Sequence, residues 1–369
     1  MIGARPLRLM LTGGGTGGHL FPAIAAAEAF RAEYPGTEVL FIGTHRKMDA
    51  ASLDRHGFAG CSIDCFGLKG KNPVDLLKAL AVLPLSMFQA MGHIRRFRPD
   101  LVLGVGGYVT GPVVAAARLL GIPAVIHEQN SVPGLANRKL ARIADRICLS
   151  LPDRGGFFPA GKTVLTGNPV RQGIVELARH MRAAAGSALT VVVLGGSQGA
   201  HALNTLVADA FCGPGGERLR DVRLIHQTGE TDEAPVTARY REAGISAEVA
   251  AFFRDMPAVY RQADLLVSRA GATTLSELAV LGLPAILVPY PFAADNHQEK
   301  NADYYVRRGG ALLFRERELT GAVLADTIVR LLGDRGGRQQ MGEAMRAAAF
   351  PEAAGAIVEV CRQVLDKRG

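Results

Sequence analysis

The sequence has few cysteines and no long apolar run, and each absence limits the class of protein. Five cysteines are too few and too scattered for a disulfide scaffold, and an odd number without a visible secretion signal predicts reduced thiols in the cytoplasm. Cys61 and Cys65 lie four apart, but no nearby Cys or His pair completes a zinc site. No uninterrupted apolar run reaches about 18 residues, so no membrane span is predicted.

Composition and charge predict a packed protein with an unevenly charged surface. The length of 369 residues predicts two domains, and 48% hydrophobic residues with 44 glycines fit an α/β protein rather than a disordered chain. Residues 1–160 carry 18 Lys and Arg against 11 Asp and Glu, whereas residues 161–369 carry 24 against 23. This basic excess predicts an anionic partner for the first half, such as membrane lipid or nucleic acid, although solubility is the simpler explanation.

A glycine loop follows the first predicted strand. Residues 7–12 predict this strand, residues 13–18 are mostly glycine, and an Ala-rich helix is predicted at about residues 21–34. Strand, glycine loop and helix are typical of the start of a Rossmann unit. Three glycines match G-x-G-x-x-G, but no acid follows the second strand at residues 39–42 to bind a ribose. An NADP oxidoreductase with Arg46 on a 2′-phosphate is one alternative.

His19 stands where this glycine loop meets the helix. The partial positive charge of a helix N-terminus disfavours a protonated imidazole. A neutral histidine at this place can act as a general base. The structural alternative is a histidine that only hydrogen-bonds a loop carbonyl.

Residues 73–98 predict an unusually apolar helix. Leu, Val, Met and Phe cover much of its surface, and Pro84 within it predicts a kink or a break. Basic residues flank its ends: Lys69, Lys71, Lys78, Arg95, Arg96 and Arg98. An apolar surface with basic flanks is typical of a helix that lies on a membrane surface. The alternative is a core helix that is buried on both sides.

Polar residues follow two further strands of the first half. The strand at residues 101–105 runs into a second glycine-rich loop at residues 106–112. The strand at residues 124–127 delivers the polar residues 128–131 to its carboxyl end, and the next helix carries Asn137. Open α/β sheets bind ligands at the carboxyl ends of their strands, so these residues are candidates for a site.

The second half repeats the pattern of the first. A strand at residues 189–194 precedes a loop at residues 195–201, which agrees with residues 13–19 at the first, second, fifth and seventh positions. Strands and helices then alternate towards the C-terminus. We therefore predict two Rossmann-like domains joined by a hinge at residues 167–171, with the last helix, from about residue 353, packing back on the first domain.

Residues 268–277 connect a buried strand to a helix. Gly271 lets the backbone turn tightly or approach a ligand, and Thr273 and Thr274 are good helix caps. A helix N-terminus suits a diphosphate, and Glu277 lies one turn further, where a carboxylate can accept hydrogen bonds from ribose hydroxyls. The alternative is a capped helix with an internal glutamate.

Six motifs in order resemble one enzyme family. They are G-G-T-G-G-H at 14–19, G-G-Y-V-T-G-P at 106–112, H-E-Q-N at 127–130, T-G-N-P-V-R at 166–171, G-G-S-Q-G-A at 195–200 and S-R-A-G-A-T-T-L-S-E at 268–277. The family is the bacterial UDP-N-acetylglucosamine:N-acetylmuramyl-(pentapeptide) pyrophosphoryl-undecaprenol N-acetylglucosaminyltransferase, which converts lipid I to lipid II in peptidoglycan synthesis. The resemblance runs from about Leu7 to past Gln298. It implies the α/β GT-B fold, in which two Rossmann-like domains with parallel sheets face a central cleft.

The resemblance also implies what each domain binds. Residues 1–167, with the helix at about 353–369, would bind the acceptor and the membrane, and residues 168–352 would bind UDP-GlcNAc. The implied partners are UDP-GlcNAc, lipid I and an anionic membrane surface reached through the helix at 73–98, without nucleic acid. The protein would be peripheral, at the cytoplasmic face of the bacterial cell membrane. No cofactor and no tightly held metal are expected, since no Asp-x-Asp occurs in the sequence.

Site residues are implied by their positions in the motifs. Glu277 is implied on the ribose hydroxyls, Phe253 along the uracil through its backbone, Gln298 on the GlcNAc hydroxyls and Arg171 on the donor. Further substrate contacts are implied for Thr16, Gly17, Gly18, Asn130, Ser197, Gln198, Arg269, Ala272, Thr273, Thr274, Leu275 and Ser276. The residues that match the acceptor side are His19, Tyr108, Glu128 and Asn137. The family often has two glutamines in its sugar motif, whereas His297 precedes Gln298 here.

These assignments predict an inverting transfer. The C4 hydroxyl of the lipid-linked N-acetylmuramyl residue attacks C1 of GlcNAc. His19 is predicted to remove the proton of this hydroxyl, and Glu128 is the alternative general base. The helix after Gly271 and the loop amides stabilise the charge of the leaving UDP. A nonhydrolysing UDP-GlcNAc epimerase shares the fold but needs no apolar membrane surface. An NADP oxidoreductase leaves the second half unexplained, and a non-catalytic lipid-binding protein leaves the nucleotide motifs unexplained.

Overall fold

The computed structural model describes residues 6–14, 17–45, 47–66, 73–181, 188–196 and 198–367, with side chains for all of these except 47–50 and 73–80. The chain divides into two compact units. We call Met1–Arg171 together with Phe350–Gly369 the N-terminal unit, and Gln172–Ala349 the C-terminal unit.

The N-terminal unit is built on a parallel sheet with seven strands in the described residues. They are β1 (Arg8–Thr12), β2 (Glu38–Gly43), β3 (Ala59–Ser62), β4 (Leu101–Gly104), β5 (Ala124–Glu128), β6 (Arg146–Leu149) and β7 (Thr163–Leu165). Their order is β3-β2-β1-β4-β5-β6-β7, and every pair is parallel. Strands β4 and β5 are buried along their whole length, which is typical of a parallel sheet covered by helices on both faces.

The C-terminal unit repeats this arrangement with six strands among its described residues. They are β8 (Thr190–Leu194), β9 (Arg223–Gln227), β10 (Ala247–Ala250), β11 (Leu265–Ser268), β12 (Ala285–Leu287) and β13 (Ala311–Leu313). Their order is β10-β9-β8-β11-β12-β13, again with every pair parallel. The strand order therefore reverses between β1 and β4 in one unit and between β8 and β11 in the other. Doubly wound sheets bind ligands at such switch points.

Helices connect the strands in both units. They are α1 (Gly17–Glu33), α2 (Lys47–Arg55), α3 (Pro73–Phe97), α4 (Thr110–Leu119), α5 (Leu135–Leu140), α6 (Gln172–His180), α7 (His201–Cys212), α8 (Glu233–Glu242), α9 (Met256–Arg261), α10 (Ala272–Leu281), α11 (His297–Val306), α12 (Gly321–Gly333), α13 (Arg335–Ala347) and α14 (Ala353–Asp366). Two parallel-sheet α/β units confirm the predicted fold class.

The last helix belongs to the N-terminal unit. Helix α14 packs against α1, and its buried face includes Ile357, Val360 and Cys361. These side chains join the cluster that covers one face of the sheet. Cys361 and Cys148 of β6 are buried in the same cluster, and burial raises the pKa of both thiols, so neither is a ready thiolate.

Helix α3 is continuous through Pro84. Of the kink or break that was predicted at this residue, the structure therefore excludes the break. Beyond the proline the helix exposes Leu85 and Phe88 and buries Ser86, Ala90 and Ile94. Lys69 and Lys71 lie outside the described residues, as does the side chain of Lys78. Among the described helices, none has the length and apolarity needed to cross a membrane.

Candidate active site

Two glycine loops meet at the switch point of the N-terminal sheet. Gly13 and Gly14 follow β1, and Gly106 and Gly107 follow β4. A Cβ on Gly107, whose φ is +82°, would lie 2.8 Å from the Gly14 carbonyl oxygen. A Cβ on Gly13 would lie 2.3 Å from Cγ2 of Val105. Glycine is required here because the two backbones pack directly on each other.

His19 lies above these loops, in the first turn of α1. Its Nδ1 is 3.1 Å from the Val105 carbonyl oxygen and 3.2 Å from Oε1 of Gln129. A carbonyl can only accept, so Nδ1 carries the proton, and the lone pair of the neutral ring is on Nε2. The ring fits because Gly106 has no side chain, since a Cβ there would lie 2.9 Å from Nδ1. The histidine thus donates to a loop carbonyl through Nδ1. The nitrogen that could accept a proton is the other one, Nε2.

Glu128 ends β5 in a closely fitted pocket and is only 3% exposed. Its Oε1 accepts from the backbone and side-chain amides of Asn130, at 3.0 and 3.3 Å. Its Oε2 accepts from the Gly134 amide at 3.1 Å and from Nδ2 of Asn137 at 2.9 Å. Burial raises the pKa of this carboxyl, and the four donors oppose the shift. Glu128 therefore organises the loop between β5 and α5.

His127, one residue earlier, is a fully buried neutral histidine. Burial lowers its pKa to about 4, while its bond to the Gly167 carbonyl, at 3.1 Å from Nε2, opposes the shift. Nε2 of Gln129 lies 3.3 Å from its Nδ1 and also donates to the Val105 carbonyl, which His19 shares. Gln129 thus connects the two histidines. The sequence analysis included it among the polar candidates at 128–131 but gave it no role of its own.

The N-terminal unit also contains the other predicted acceptor-side residues, Tyr108 and Asn137, and several predicted substrate contacts. Gly17 and Gly18 begin α1, and Tyr108 lies in the loop after β4, where its carbonyl accepts from the Cys65 thiol at 3.5 Å. Asn137 is buried in α5 and also donates to the His127 carbonyl. Arg171 stacks over the Phe21 ring at 4.8 Å. Thr16 lies outside the described residues.

The switch point of the C-terminal sheet repeats the paired-loop arrangement. The loop after β8 contains Gly195, Gly196 and Gly199. A Cβ on Gly199, whose φ is +77°, would lie 2.2 Å from the Thr228 carbonyl oxygen, and one on Gly229 would lie 2.7 Å from the Gly199 Cα. The loops after β8 and β9 therefore pack backbone on backbone. Gln198 is exposed beside them, and Ser197 lies outside the described residues.

Helix α10 begins directly after β11 and points its N-terminus towards this switch point. Its N-cap is Gly271, and the first helical bond runs from the Leu275 amide to the Gly271 carbonyl at 3.0 Å. Thr273 and Thr274 are in the first turn and do not cap it, which corrects the prediction that they are caps. The amides of Ala272 to Thr274 precede that first bond, and such amides form an anion site at a helix N-terminus. The Ser276 hydroxyl is turned back to the Ala272 carbonyl, and the Leu275 side chain is buried.

Glu277 is buried one turn into α10, with 3% of its surface exposed. Its Oε2 accepts a hydrogen bond of 2.8 Å from the hydroxyl of Tyr260 on α9. Nothing in the residues around Tyr260 marks it as part of a site. The contact joins two helices, so no local pattern in the sequence predicts it.

Arg269, predicted as a substrate contact, makes several contacts within the C-terminal unit. Its guanidinium is buried, donates to the Val288 and Pro289 carbonyls at 3.1 and 3.3 Å, and pairs with Glu316 at 2.5 Å. It therefore stabilises the loop after β12 through the two backbone carbonyls. Gln298, the predicted sugar contact, holds the same loop, because its Oε1 accepts from the Ala270 and Tyr290 amides at 3.2 and 2.9 Å.

Gln227, at the end of β9, joins the loops beside it and was not predicted. Its Nε2 donates to the Gly196 carbonyl at 3.1 Å, and its Oε1 accepts from the Phe253 amide at 3.1 Å. The Phe253 amide is thus engaged within the protein. The described residues contain no cluster of three His, Cys, Asp or Glu side chains that could hold a metal ion.

Comparisons with known proteins agree with this geometry. The chain matches the glycosyltransferase family 28 N-terminal domain over residues 9–149 and the C-terminal domain of the same family over residues 190–357. The chain thus has two parallel-sheet units with glycine loops at their switch points, and it matches both domains of this family. These features define a glycosyltransferase of the GT-B class.

Individual relatives narrow this class. A UDP-N-acetylglucosamine–N-acetylmuramyl-(pentapeptide) pyrophosphoryl-undecaprenol N-acetylglucosamine transferase from Desulfotalea psychrophila is 60% identical over 98% of this chain and 98% of its own length. The crystal structure of MurG from Acinetobacter baumannii covers 97% of this chain and 100% of its own, with 32% identity and a TM-score of 0.76. The chain belongs to this family of N-acetylglucosamine transferases, and the predicted resemblance is confirmed.

The epimerase alternative is supported at the level of the fold alone. UDP-GlcNAc 2-epimerase from Neisseria meningitidis, in a structure with bound UDP-GlcNAc, has a TM-score of 0.67 at 13% identity over 96% of this chain and 99% of its own.

Proposed function

We propose that the protein transfers GlcNAc from UDP-GlcNAc to the C4 hydroxyl of the N-acetylmuramyl residue of lipid I, which gives lipid II. The observation that carries this proposal is the 60% identity, over nearly all of both chains, to a transferase named for these substrates. Two α/β units, each with glycine loops at its switch point, support a reaction between two substrates.

The C-terminal unit is proposed to bind the donor. The N-terminus of α10 supports a diphosphate site, because amides that precede the first helical bond and the helix dipole both favour an anion. Glu277 accepts from the ribose hydroxyls, and the Phe253 carbonyl accepts from the uracil N3–H. Gln298 uses its Oε1 within the protein, so its Nε2 is the group offered to the hydroxyls of GlcNAc.

The N-terminal unit is proposed to bind the acceptor and to activate it. Nε2 of His19 takes the proton of the C4 hydroxyl while that oxygen forms its bond to C1 of GlcNAc. The bond from C1 to the phosphate oxygen breaks, and UDP leaves with the electron pair. The bond from Nδ1 to Val105 fixes the tautomer, and the resulting imidazolium keeps that bond. Glu128 and Asn137 hold the loop that borders the acceptor.

This mechanism has a stereochemical test. The sugar of UDP-GlcNAc is α-linked, so direct attack on C1 gives a β-linked product. Proton NMR of the product formed on a soluble lipid I analogue reports this linkage. An α-linked product would contradict the single displacement with inversion.

The protein is also proposed to be peripheral at the cytoplasmic face of the cell membrane, through a surface on α3. Phe88 is 70% exposed and Leu85 is 49% exposed, and Phe66 before the helix is 52% exposed. Arg95 and Arg96 follow in the last turn of the same helix and are exposed. Apolar side chains with adjacent arginines support binding to an anionic lipid surface, as the lipid-linked acceptor requires.

A further inference from the structure

Tyr260 and Glu277 form a buried pair in the C-terminal unit. The phenol donates to Oε2 of the carboxylate at 2.8 Å, and the two residues are 1% and 3% exposed. A hydrogen bond to an ionised acceptor is stronger than one between neutral groups and is sensitive to direction. A carboxylate has about four acceptor positions on its two oxygens, so it can accept from Tyr260 and from other donors at the same time.

We propose that Tyr260 is a positioning residue for the donor ribose. Its hydroxyl holds the Glu277 carboxylate in the orientation that accepts hydrogen bonds from the ribose of a uridine diphosphate. This inference rests on the proposed role of Glu277 as the ribose contact.

Tyr260 is also close in the chain to Phe253, the residue proposed to contact the uracil. Helix α9 begins at Met256, three residues after Phe253, and its N-cap Asp255 accepts from the Ala258 amide at 3.0 Å. Tyr260 is on this helix, and Glu277 is on α10. The bond between them therefore connects the segment proposed to contact uracil with the carboxylate proposed to contact ribose.

The test compares the affinities of UDP and 2′-deoxy-UDP, measured by calorimetry on the full chain. For the unaltered protein we expect 2′-deoxy-UDP to bind about tenfold more weakly, the usual effect of one hydrogen bond to a charged group. Glu277→Ala should abolish this preference. Tyr260→Phe keeps the buried ring and removes only the hydroxyl, and it should reduce the preference to about threefold or less while weakening UDP itself.

Tyr240→Phe is the matched control. Tyr240 is also 1% exposed in the C-terminal unit, and its hydroxyl bonds Nδ1 of His226 at 2.8 Å. This variant should lower the melting temperature and leave the preference for the 2′-hydroxyl unchanged. A merely structural role of Tyr260 would give the same result as the control.

The outcomes separate the two proposals. If Glu277→Ala abolishes the preference and Tyr260→Phe keeps it in full, Glu277 binds the ribose and the positioning role of Tyr260 is wrong. If Glu277→Ala keeps the preference, the ribose assignment itself fails and the inference fails with it. Melting curves with and without UDP establish that each variant is folded. If Tyr260→Phe is unfolded at the temperature of the calorimetry, the same comparison is made at a lower temperature at which its melting curve shows it folded, and the same reduced preference is expected.

Discussion

At the scale of single residues, the hydrogen bonds of His19 determine which of its nitrogens can react. Nδ1 is committed to Val105 and Gln129, and Gly106 makes room for the ring. The sequence predicted a histidine at a helix N-terminus after a glycine loop. It did not reveal the carbonyl of Val105, which is 86 residues away in the chain.

Replacing His19 tests its role as the base. His19→Ala is expected to lower kcat by about 10² to 10⁴, the usual contribution of a general base, with little change in the KM for UDP-GlcNAc. Steady-state transfer to a soluble lipid I analogue measures both constants. A large rise in KM at nearly constant kcat would show instead that His19 is a binding residue.

Replacing Glu128 tests its role as the organiser of its loop. Glu128→Gln places an NH₂ group either against the donors of Gly134 and Asn137 or against the two donors of Asn130. We therefore expect a loss of about 1–3 kcal/mol in the free energy of unfolding, the usual cost of an unmatched buried polar group. Urea denaturation measures this loss.

The matched control for that experiment is Glu176→Gln on α6. Glu176 is exposed and accepts from Gln172, and this change should cost less than about 0.5 kcal/mol. Unaltered stability of Glu128→Gln together with a large loss of kcat would instead identify Glu128 as a catalytic group.

At the scale of elements, helix α3 carries apolar side chains on its exposed face, and packing in the core does not account for them. The helix is amphipathic beyond Pro84, because Ala90 and Ile94 are buried while Leu85 and Phe88 are exposed. The sequence predicted both an apolar surface helix and a buried one, since periodicity alone does not show which neighbours cover a helix.

Polar substitutions on this face test the membrane contact. Leu85→Ser together with Phe88→Ser should weaken binding to vesicles that contain anionic lipid by at least about tenfold, since burial of each such side chain contributes about 1.5–3 kcal/mol. Val323→Ser, at a 43% exposed position on α12, is the control and should bind as before. Vesicle sedimentation measures the change, and equal binding of all three proteins would exclude this surface.

Some elements could not be located from sequence patterns. The sequence analysis left out the edge strands β3 and β13, which are only four and three residues long. The helix α10 was predicted, but Gly271 caps it rather than a threonine. Short edge strands and caps depend on neighbours distant in the chain, and these carry little local signal.

At the scale of the whole molecule, buried neutral histidines make stability depend on pH. His226 is fully buried between Tyr240 and Asn204, and burial lowers its pKa to about 3 from 6.5 in an exposed state. The unfolded chain therefore binds the extra proton at any pH between these values. The contribution of His226 to stability is fully present above about pH 6.5 and falls by about 1.4 kcal/mol for each unit of acidification below it.

This dependence is measurable in one variant. Between pH 7.5 and 5.5 the free energy of unfolding of the C-terminal unit should fall by about 1.4 kcal/mol less in His226→Gln than in the unaltered protein, because glutamine does not titrate. His127 is the less suitable site, since the raised pKa of the adjacent Glu128 carboxyl acts in the opposite direction. Identical pH dependence of the two proteins would contradict the buried neutral state of His226.

The architecture was predictable from the sequence because it is repeated. A glycine loop follows a strand at corresponding positions in the two halves, and this repeat predicts two doubly wound sheets and the positions of their switch points. Motif positions also brought His19, Glu128 and Glu277 to those switch points. The contact of Gln129 with His19 and that of Tyr260 with Glu277 were not predicted, nor was the role of Gln227 between its two loops, because each acts through contacts distant in sequence.

The most direct test of this account is the transfer of labelled GlcNAc from UDP-GlcNAc to a soluble lipid I analogue by the purified chain. We expect a disaccharide product and one UDP for each GlcNAc transferred, in reactions that require the acceptor. Formation of UDP-N-acetylmannosamine without an acceptor, or release of UDP without a disaccharide, would contradict the proposed function and identify an epimerase or a hydrolase of the same fold.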